Sequence, residues 1–404
     1  QRMVALGLPD FTPVQNNISF NGRAGTTRGI HAEPWDKLVS LATGRIFGAW
    51  ADLRSGDSFG RCFTIEMGPE TAIFVPRGVG NAFQTLTDQT AYSYLVNDHW
   101  KPAARESYTF VNLADETLAI NWPIPLEQAE ISQADQAHPR LGEVTPLESK
   151  QTLIIGPGGQ LGRALIAAFP SAIRITRSTL ELGSPESIKS FDFTPYGVVI
   201  NAAAYTKVDA AESEAGRREA WAVNVAGVGA LVEAARTHRF TLVHVSSDYV
   251  FDGSQTPHAE TEPFSPLSVY GQTKAAADAL VGSLPAHYLL RTSWVIGDGH
   301  NFVRTMAALA DRGVSPEVVD DQFGRLTFTA EISRAVIHLL ETSAPYGTYN
   351  LSNDGDPMTW AGIARAVFEA RGRDAASVRD VTTAEYATGK SLAPRPRHSV
   401  LSLD

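Results

Sequence analysis

The sequence predicts two domains of different class: an antiparallel β-barrel or sandwich, followed by an α/β domain built on a doubly wound parallel sheet. Three observations carry this expectation. The 404 residues exceed the roughly 250–300 at which a single core stops growing. Short β-like runs broken by turns fill the first third, and beyond Gln151 strands and helices alternate.

The elements follow in order. Apolar runs at 38–41 before Gly44, 46–53 before Arg54-Ser55-Gly56-Asp57, 71–75 before Pro76-Arg77-Gly78, and 91–96 lack helical period and sit at the spacing of antiparallel strands. Residues 123–150, rich in Pro, Gln and Glu, read as a connector. The domains are drawn as 1–140, a linker 141–150, and 151–404. In the last, a strand at 153–155 enters a glycine turn and a helix at 161–169. Strands at 198–200 and 242–245 then alternate with Ala-rich helices such as 220–236, the order of a parallel sheet.

Composition narrows the function. Lys plus Arg (34) against Asp plus Glu (44) leaves a net charge of -10, the wrong sign for a nucleic-acid partner. One cysteine, Cys62, permits neither a disulfide framework nor a Cys-ligated zinc site, and fits a reducing cytoplasm. No run of about 18 apolar residues or secretory pattern is present, so no membrane role is expected. The chain opens at Gln1, not Met, and residues upstream of it are expected.

Gly156-Pro157-Gly158-Gly159-Gln160-Leu161-Gly162 follows a strand and opens a helix, the context in which glycines let backbone N–H groups approach a pyrophosphate. Alone it could be an ordinary turn. About 20 residues on, where an acid would bind the ribose of NAD, stands Arg177, whose planar fork suits the extra phosphate of NADP. NADPH is therefore expected, with NADH the alternative. Ser247 ends a strand, and Tyr270 and Lys274 lie one helical turn apart. Hydride delivery to a ketone needs a proton for the oxygen, and a phenol of ordinary pKa near 10 becomes more acidic beside an ammonium.

With these motifs, residues 151–404 resemble the dTDP-4-dehydrorhamnose reductase family, extended short-chain dehydrogenases with a Rossmann sheet and a smaller C-terminal substrate-binding part. Asn201-Ala202-Ala203-Ala204-Tyr205-Thr206, Val208-Asp209 with Glu212, residues 245–253, Arg291-Thr292-Ser293-Trp294, Asp321-Gln322-Phe323-Gly324 and Arg395-Pro396-Arg397-His398-Ser399 complete the likeness. It implies Ser247, Tyr270 and Lys274 as catalytic residues. Gly156, Gly159, Gln160, Leu161, Gly162, Arg177, Ala202, Ala203, Tyr270 and Lys274 would meet the cofactor. Trp294, Gln322 and Ser247 would meet the sugar. Some relatives use magnesium; Asp320 and Asp321 are the nearby acids, and no metal site is assigned. Asp209 and Glu212 are read as helix-start charges and caps, Trp221 as core, and His238 and His244 as surface and strand-packing residues.

Epimerisation beside a ketone needs a base on one face, a positive charge for the enolate oxygen and an acid on the other face. Gln15-x-Asn17-x-Ser19, Arg28-Gly29-Ile30-His31, Lys37, Asp52-Leu53-Arg54, Ser58-Phe59-Gly60, residues 75–78, Tyr94, Asn121-Trp122-Pro123 and Ser132-x-x-Asp135 resemble the dTDP-4-dehydrorhamnose 3,5-epimerase family, cupin-type jelly-roll barrels. The resemblance implies His31 as base, Asp135 as its orienting carboxylate, Lys37 as enolate stabiliser, Tyr94 as opposing acid and Arg28 as diphosphate ligand. The chain departs from the family where a customary histidine is Asn81, taken as a substrate contact, and where a customary tyrosine is Trp100.

Together these imply a bifunctional enzyme acting on a nucleotide sugar, with a homodimer through the barrel as one option. The alternatives are a working reductase with the barrel as an inactive binding or dimerisation module, and a non-catalytic subunit.

Overall fold

The computed structural model describes residues 13–99, 107–148 and 150–404; Trp100 lies outside them. The chain divides into two compact units, residues 1–149 and 150–404, each treated by itself.

The first unit contains strands β1 Gln15–Asn21, β2 Thr26–Ala32, β3 Lys37–Thr43, β4 Ile46–Asp52, β5 Cys62–Met67, β6 Ala72–Val75, β7 Val79–Thr85, β8 Thr90–Val96, β9 Thr109–Phe110 and β10 Glu130–Ile131. They form two sheets, β1-β8-β3-β6 and β10-β2-β7-β4-β5, with β9 also on β2. Alternation explains the packing: in β3, Lys37, Val39 and Leu41 are buried while Leu38 and Ser40 are not. Val39, Leu41, Val75 and Tyr92 from one sheet meet Ile46, Trp50, Met67 and Phe83 from the other, so the two sheets face each other across one core.

The expected linker is not free chain over 141–148. Leu141 is buried in a cluster with Ile30, Leu53 and Val111, and Leu147 pairs its backbone with Leu53 and Ser55. Apolar side chains in a Pro-rich stretch fold back here to cover the second sheet. Ahead of this stretch, helix α1 Gln133–Gln136 carries Asp135.

The second unit has a parallel sheet in the order β12-β11-β13-β14-β15 and then Gly347–Leu351, where β11 is Gln151–Ile155, β12 Ile173–Ile175, β13 Tyr196–Asn201, β14 Thr241–Ser247 and β15 His287–Thr292. Its helices include α2 Gln160–Ala168, α3 Pro185–Ser190, α4 Glu214–Trp221, α5 Val228–His238 and α6 Val269–Val281. Successive strand residues point to opposite cores: Leu153, Val199 and Leu242 meet α3, α5 and α6, whereas Ile154, Ile200 and Val243 meet α2 and the helix Thr329–Glu341. Covering both faces is why these strands read as apolar runs. A smaller cluster joins Met306 and Ala310 to Ala361 and Phe368. Trp221, expected in the core, is 41% exposed, because α4 turns its small residues Gly216 and Ala220 inward instead.

Candidate active sites

In the first unit, β2 bulges so that Arg28 stands opposite Phe83 and His31 opposite Asn81, three steps on one strand against two on the other. Both side chains therefore share the inner face with Phe83, which an unbroken strand would not allow. Gly29 makes the close approach at φ +120°; a Cβ there would lie 2.6 Å from the side chain of Ala82.

His31 Nε2 donates to Asp135 Oδ1 at 2.8 Å. Ser132 caps α1 by accepting the N–H of Asp135 at 3.1 Å, which fixes the carboxylate. Burial raises the Asp135 carboxyl, but the hydrogen bond and charge of His31, with Ser132 and His138, hold it below the ordinary value. His138 Nε2 reaches the same Oδ1 at 3.2 Å and stacks on Phe110 at 4.6 Å. Among the described residues, His31, Asp135 and His138 are also the group spaced closely enough to hold a cation.

Lys37 is buried and paired with Glu33. Burial alone draws its ammonium down to about 7, while the Glu33 carboxylate opposes this and favours the charged form. Its Nζ lies 5.7 Å from the centre of the Tyr94 ring, and burial raises the Tyr94 phenol. Tyr94 packs 5.9 Å from Tyr92, whose hydroxyl donates to Asn81 Oδ1 at 2.8 Å. A line of contacts thus runs from Lys37 through Tyr94, Tyr92 and Asn81 to the strand neighbour His31. Arg28 donates from Nη1 to the carbonyls of Thr27 and Glu130 at 3.1 and 3.2 Å. Arg54 grips Asp52 with two bonds, which pins a turn.

In the second unit, Gly156 at φ +84° would, with a Cβ, sit 2.8 Å from the N atom of Ala203, and Gly162 would strike the carbonyl of Gly156. Gly159 starts α2 without a side-chain cap, leaving backbone N–H groups for an anion. Gln160 Oε1 accepts from Gly297 and Asn301 at 3.0 and 3.1 Å, and Leu161 packs in the core; only their backbones can meet a phosphate. Arg177 is exposed and paired with Glu181. Ala202 and Ala203 directly follow β13, the latter donating its N–H to Asn201 Oδ1 at 3.1 Å.

Ser247 Oγ donates to Asp248 Oδ1 at 2.8 Å. Burial raises the Asp248 carboxyl to about 6, opposed by Ser399 and Ser247. The buried Tyr270 phenol is pushed up by burial and then by Asp248, and drawn down by its hydrogen bond with Ser247. Lys274 Nζ donates to the carbonyl of Val245 at 2.8 Å; burial brings its ammonium down to about 8, against the pull of Asp278.

Models of two known families match this chain: dTDP-4-dehydrorhamnose 3,5-epimerase over residues 1–143 and the RmlD substrate binding domain over residues 150–404. The chain belongs to both families. Its epimerase domain is 45% identical over 155 residues to the protein RmlC homolog of Streptococcus pyogenes serotype M6, covering 37% of this chain and 78% of that one. Its reductase domain is 39% identical over 272 residues to the dTDP-4-dehydrorhamnose reductase of Aggregatibacter actinomycetemcomitans, covering 62% and 90%. The solved dTDP-4-dehydrorhamnose reductase from Bacillus anthracis str. Ames, in complex with NADP, matches with a TM-score of 0.58 at 30% identity, covering 63% and 92%. One chain therefore carries an epimerase and a reductase of the dTDP-rhamnose pathway.

Several residues of these domains escaped the sequence reading. In the epimerase domain they are Glu33 and His138; a carboxylate four residues before Lys37 and a histidine three after Asp135 were the available signals. In the reductase domain, Trp294 stacks on Trp360 at 3.7 Å, so one face of the expected sugar platform is taken. Gln322 Nε2 is bonded to Thr383 at 3.0 Å. Asp320 accepts from Thr359 and Asp321 from Thr383. Asp209 holds Arg395 and Ala393, and Glu212 accepts the N–H of Val269, so these two acids tie loops together instead of capping their own helix.

Proposed function

We propose that the epimerase domain inverts C3 and C5 of dTDP-4-dehydro-6-deoxy-D-glucose and that the reductase domain then reduces the C4 ketone with NADPH, giving dTDP-L-rhamnose. The observation that carries the first step is the His31–Asp135 pair beside Asn81 on the inner face of one sheet, with the Tyr92–Tyr94–Lys37 line on the sheet that faces it. We read the two facing sheets as a cupin-type jelly roll and the second unit as a Rossmann short-chain dehydrogenase.

With Nε2–H given to Asp135, the Nδ1 lone pair of His31 takes the proton from carbon, and the carboxylate stabilises the imidazolium. The electron pair moves to the C4 oxygen, facing the Lys37 ammonium. Tyr94, kept protonated by burial, returns a proton from the opposite face. Arg28 grips the diphosphate.

The reductase residues fit a dinucleotide: Gly156 packs its bare Cα against Ala203, and the turn leads into the uncapped start of α2, whose N–H groups would form the phosphate cradle. When bound, the nicotinamide supplies hydride to C4. Tyr270 gives its proton to the resulting oxygen, with Ser247 as a second donor to it. Lys274 supports the phenolate that this leaves. Trp294 and Gln322 bound the sugar side. Arg177 would exchange Glu181 for the ribose phosphate of NADPH; because that carboxylate already holds it, NADH is the second cofactor reading. We place the enzyme in the cytoplasm, with a homodimer through the epimerase domain. No helix among the described residues is long and apolar enough to cross a membrane.

Asn81 in place of a customary histidine favours a second reading, in which the epimerase domain is an inactive module. Incubation with dTDP-4-dehydro-6-deoxyglucose and NADPH in deuterated water tests both. Deuterium at C3 and C5 of an L-rhamnose product is expected. Label at one carbon limits the epimerase to one centre, and an unlabelled product reduced at C4 leaves a reductase alone.

A further inference from the structure

The second unit buries a histidine that the reaction as described does not use. His244 on β14 is 1% exposed, as is Asn201 on β13, and Lys274 on α6 is 2% exposed. Asn201 Oδ1 accepts the N–H of Ala203 at 3.1 Å, which turns the amide NH2 toward His244 Nδ1, 3.1 Å away. An NH2 group only donates, so Nδ1 must be the unprotonated nitrogen and Nε2 carries the hydrogen. That N–H points at Lys274 Nζ, 3.5 Å away. Against an ammonium it is a donor facing a donor; against a neutral amine it meets a lone pair.

We propose that His244, locked as its Nε2–H tautomer by Asn201, is a positioning residue that favours the neutral amine of Lys274 and so sets the pH at which the reductase loses its ammonium. This rests on Lys274 serving the reductase reaction as set out above. The surroundings allow it. From β14 the carbonyl of Val245 holds the ammonium. From α6, Asp278 favours the charge, and one of its carboxylate oxygens, Oδ2, accepts from Nε of Arg291 of β15 at 2.9 Å. From β13, Asn201 is held between the N–H of Ala203 and the imidazole. His244 cannot relieve the conflict by charging, because burial and then Lys274 push its pKa well below the ordinary value.

The test is the alkaline limb of kcat for NADPH-dependent ketone reduction by the full chain. His244→Leu removes the facing donor, and the limb should rise by about one pH unit; His244→Gln, which keeps a side-chain N–H, should restore it toward the wild-type position. An unmoved limb in His244→Leu, or equal shifts in both variants, overturns the proposal, as does a change in KM alone. Should the variants not fold, ¹⁵N spectra of the imidazoles in the wild-type chain decide: Nδ1 of His244 unprotonated is expected, and Nδ1 protonated overturns it. That spectrum reads the tautomer whether or not the chain reduces the sugar. Failure of the reductase reading would instead show as no NADPH oxidation by wild type.

Discussion

His31 and Asp135 lie 104 positions apart in sequence, yet Nε2 of one meets Oδ1 of the other at 2.8 Å. Two local devices make the meeting possible. The bulge in β2 turns His31 to the inner face, and the Ser132 cap sets Asp135 at the start of a one-turn helix. If that pair orients the base, Asp135→Asn should lower deuterium wash-in at C3 and C5 by about 10²–10⁴-fold, with reduction of a supplied 4-keto L-sugar unchanged. Wash-in at the wild-type rate would remove the dyad from the mechanism.

Lys37 and Glu33 form a buried pair, so removing one leaves the other as an unpaired buried charge, a loss of about 3–5 kcal/mol. Lys37→Met should therefore destabilise the epimerase domain and stop proton exchange. Adding Glu33→Gln should recover most of the stability in urea melts without recovering exchange. Exchange returning with stability would mean that Lys37 acts only as a structural partner.

Gly156→Ala puts a methyl group against Ala203 at a positive φ. NADPH binding, followed by nicotinamide fluorescence, should weaken by at least about tenfold, while wash-in at C3 and C5 persists. Unchanged NADPH affinity would displace the proposed cradle.

Asp248 offers a pH test. Its carboxyl rises from 3.8 to about 6 on folding, so between those values the folded chain binds a proton that the unfolded chain has released. Stability from this group is thus present at the acid end and lost as pH climbs from 4 to 6, by about 3 kcal/mol at most. Asp248→Asn should flatten that decline in the denaturation midpoint of the reductase domain. Parallel pH profiles for the two proteins would contradict the assignment.

Local patterns made much of this protein legible. The glycines at 156–162, the Tyr270–Lys274 spacing and the change from strand alternation to strand–helix order depend on residues within one or two turns of each other, so sequence carried them. The inward positions of Lys37 and Tyr94 likewise follow from strand alternation. By contrast, some partners of these groups come from strands and loops far along the chain, and others lie close in sequence but act on them only because both side chains are buried together. Trp360 on Trp294 and Asn201 fixing the His244 imidazole beside Lys274 depend on register that no local pattern encodes, whereas Glu33 near Lys37, His138 near Asp135 and Asp248 beside Ser247 are local pairs whose effect on charge depends on burial. Sequence by itself determined two cores, a phosphate-type turn and the residues able to move protons. Tertiary structure decided which carboxylate faces which base and which charges lie away from water. The physical reason is that hydrogen-bond geometry and desolvation are set by neighbours in space.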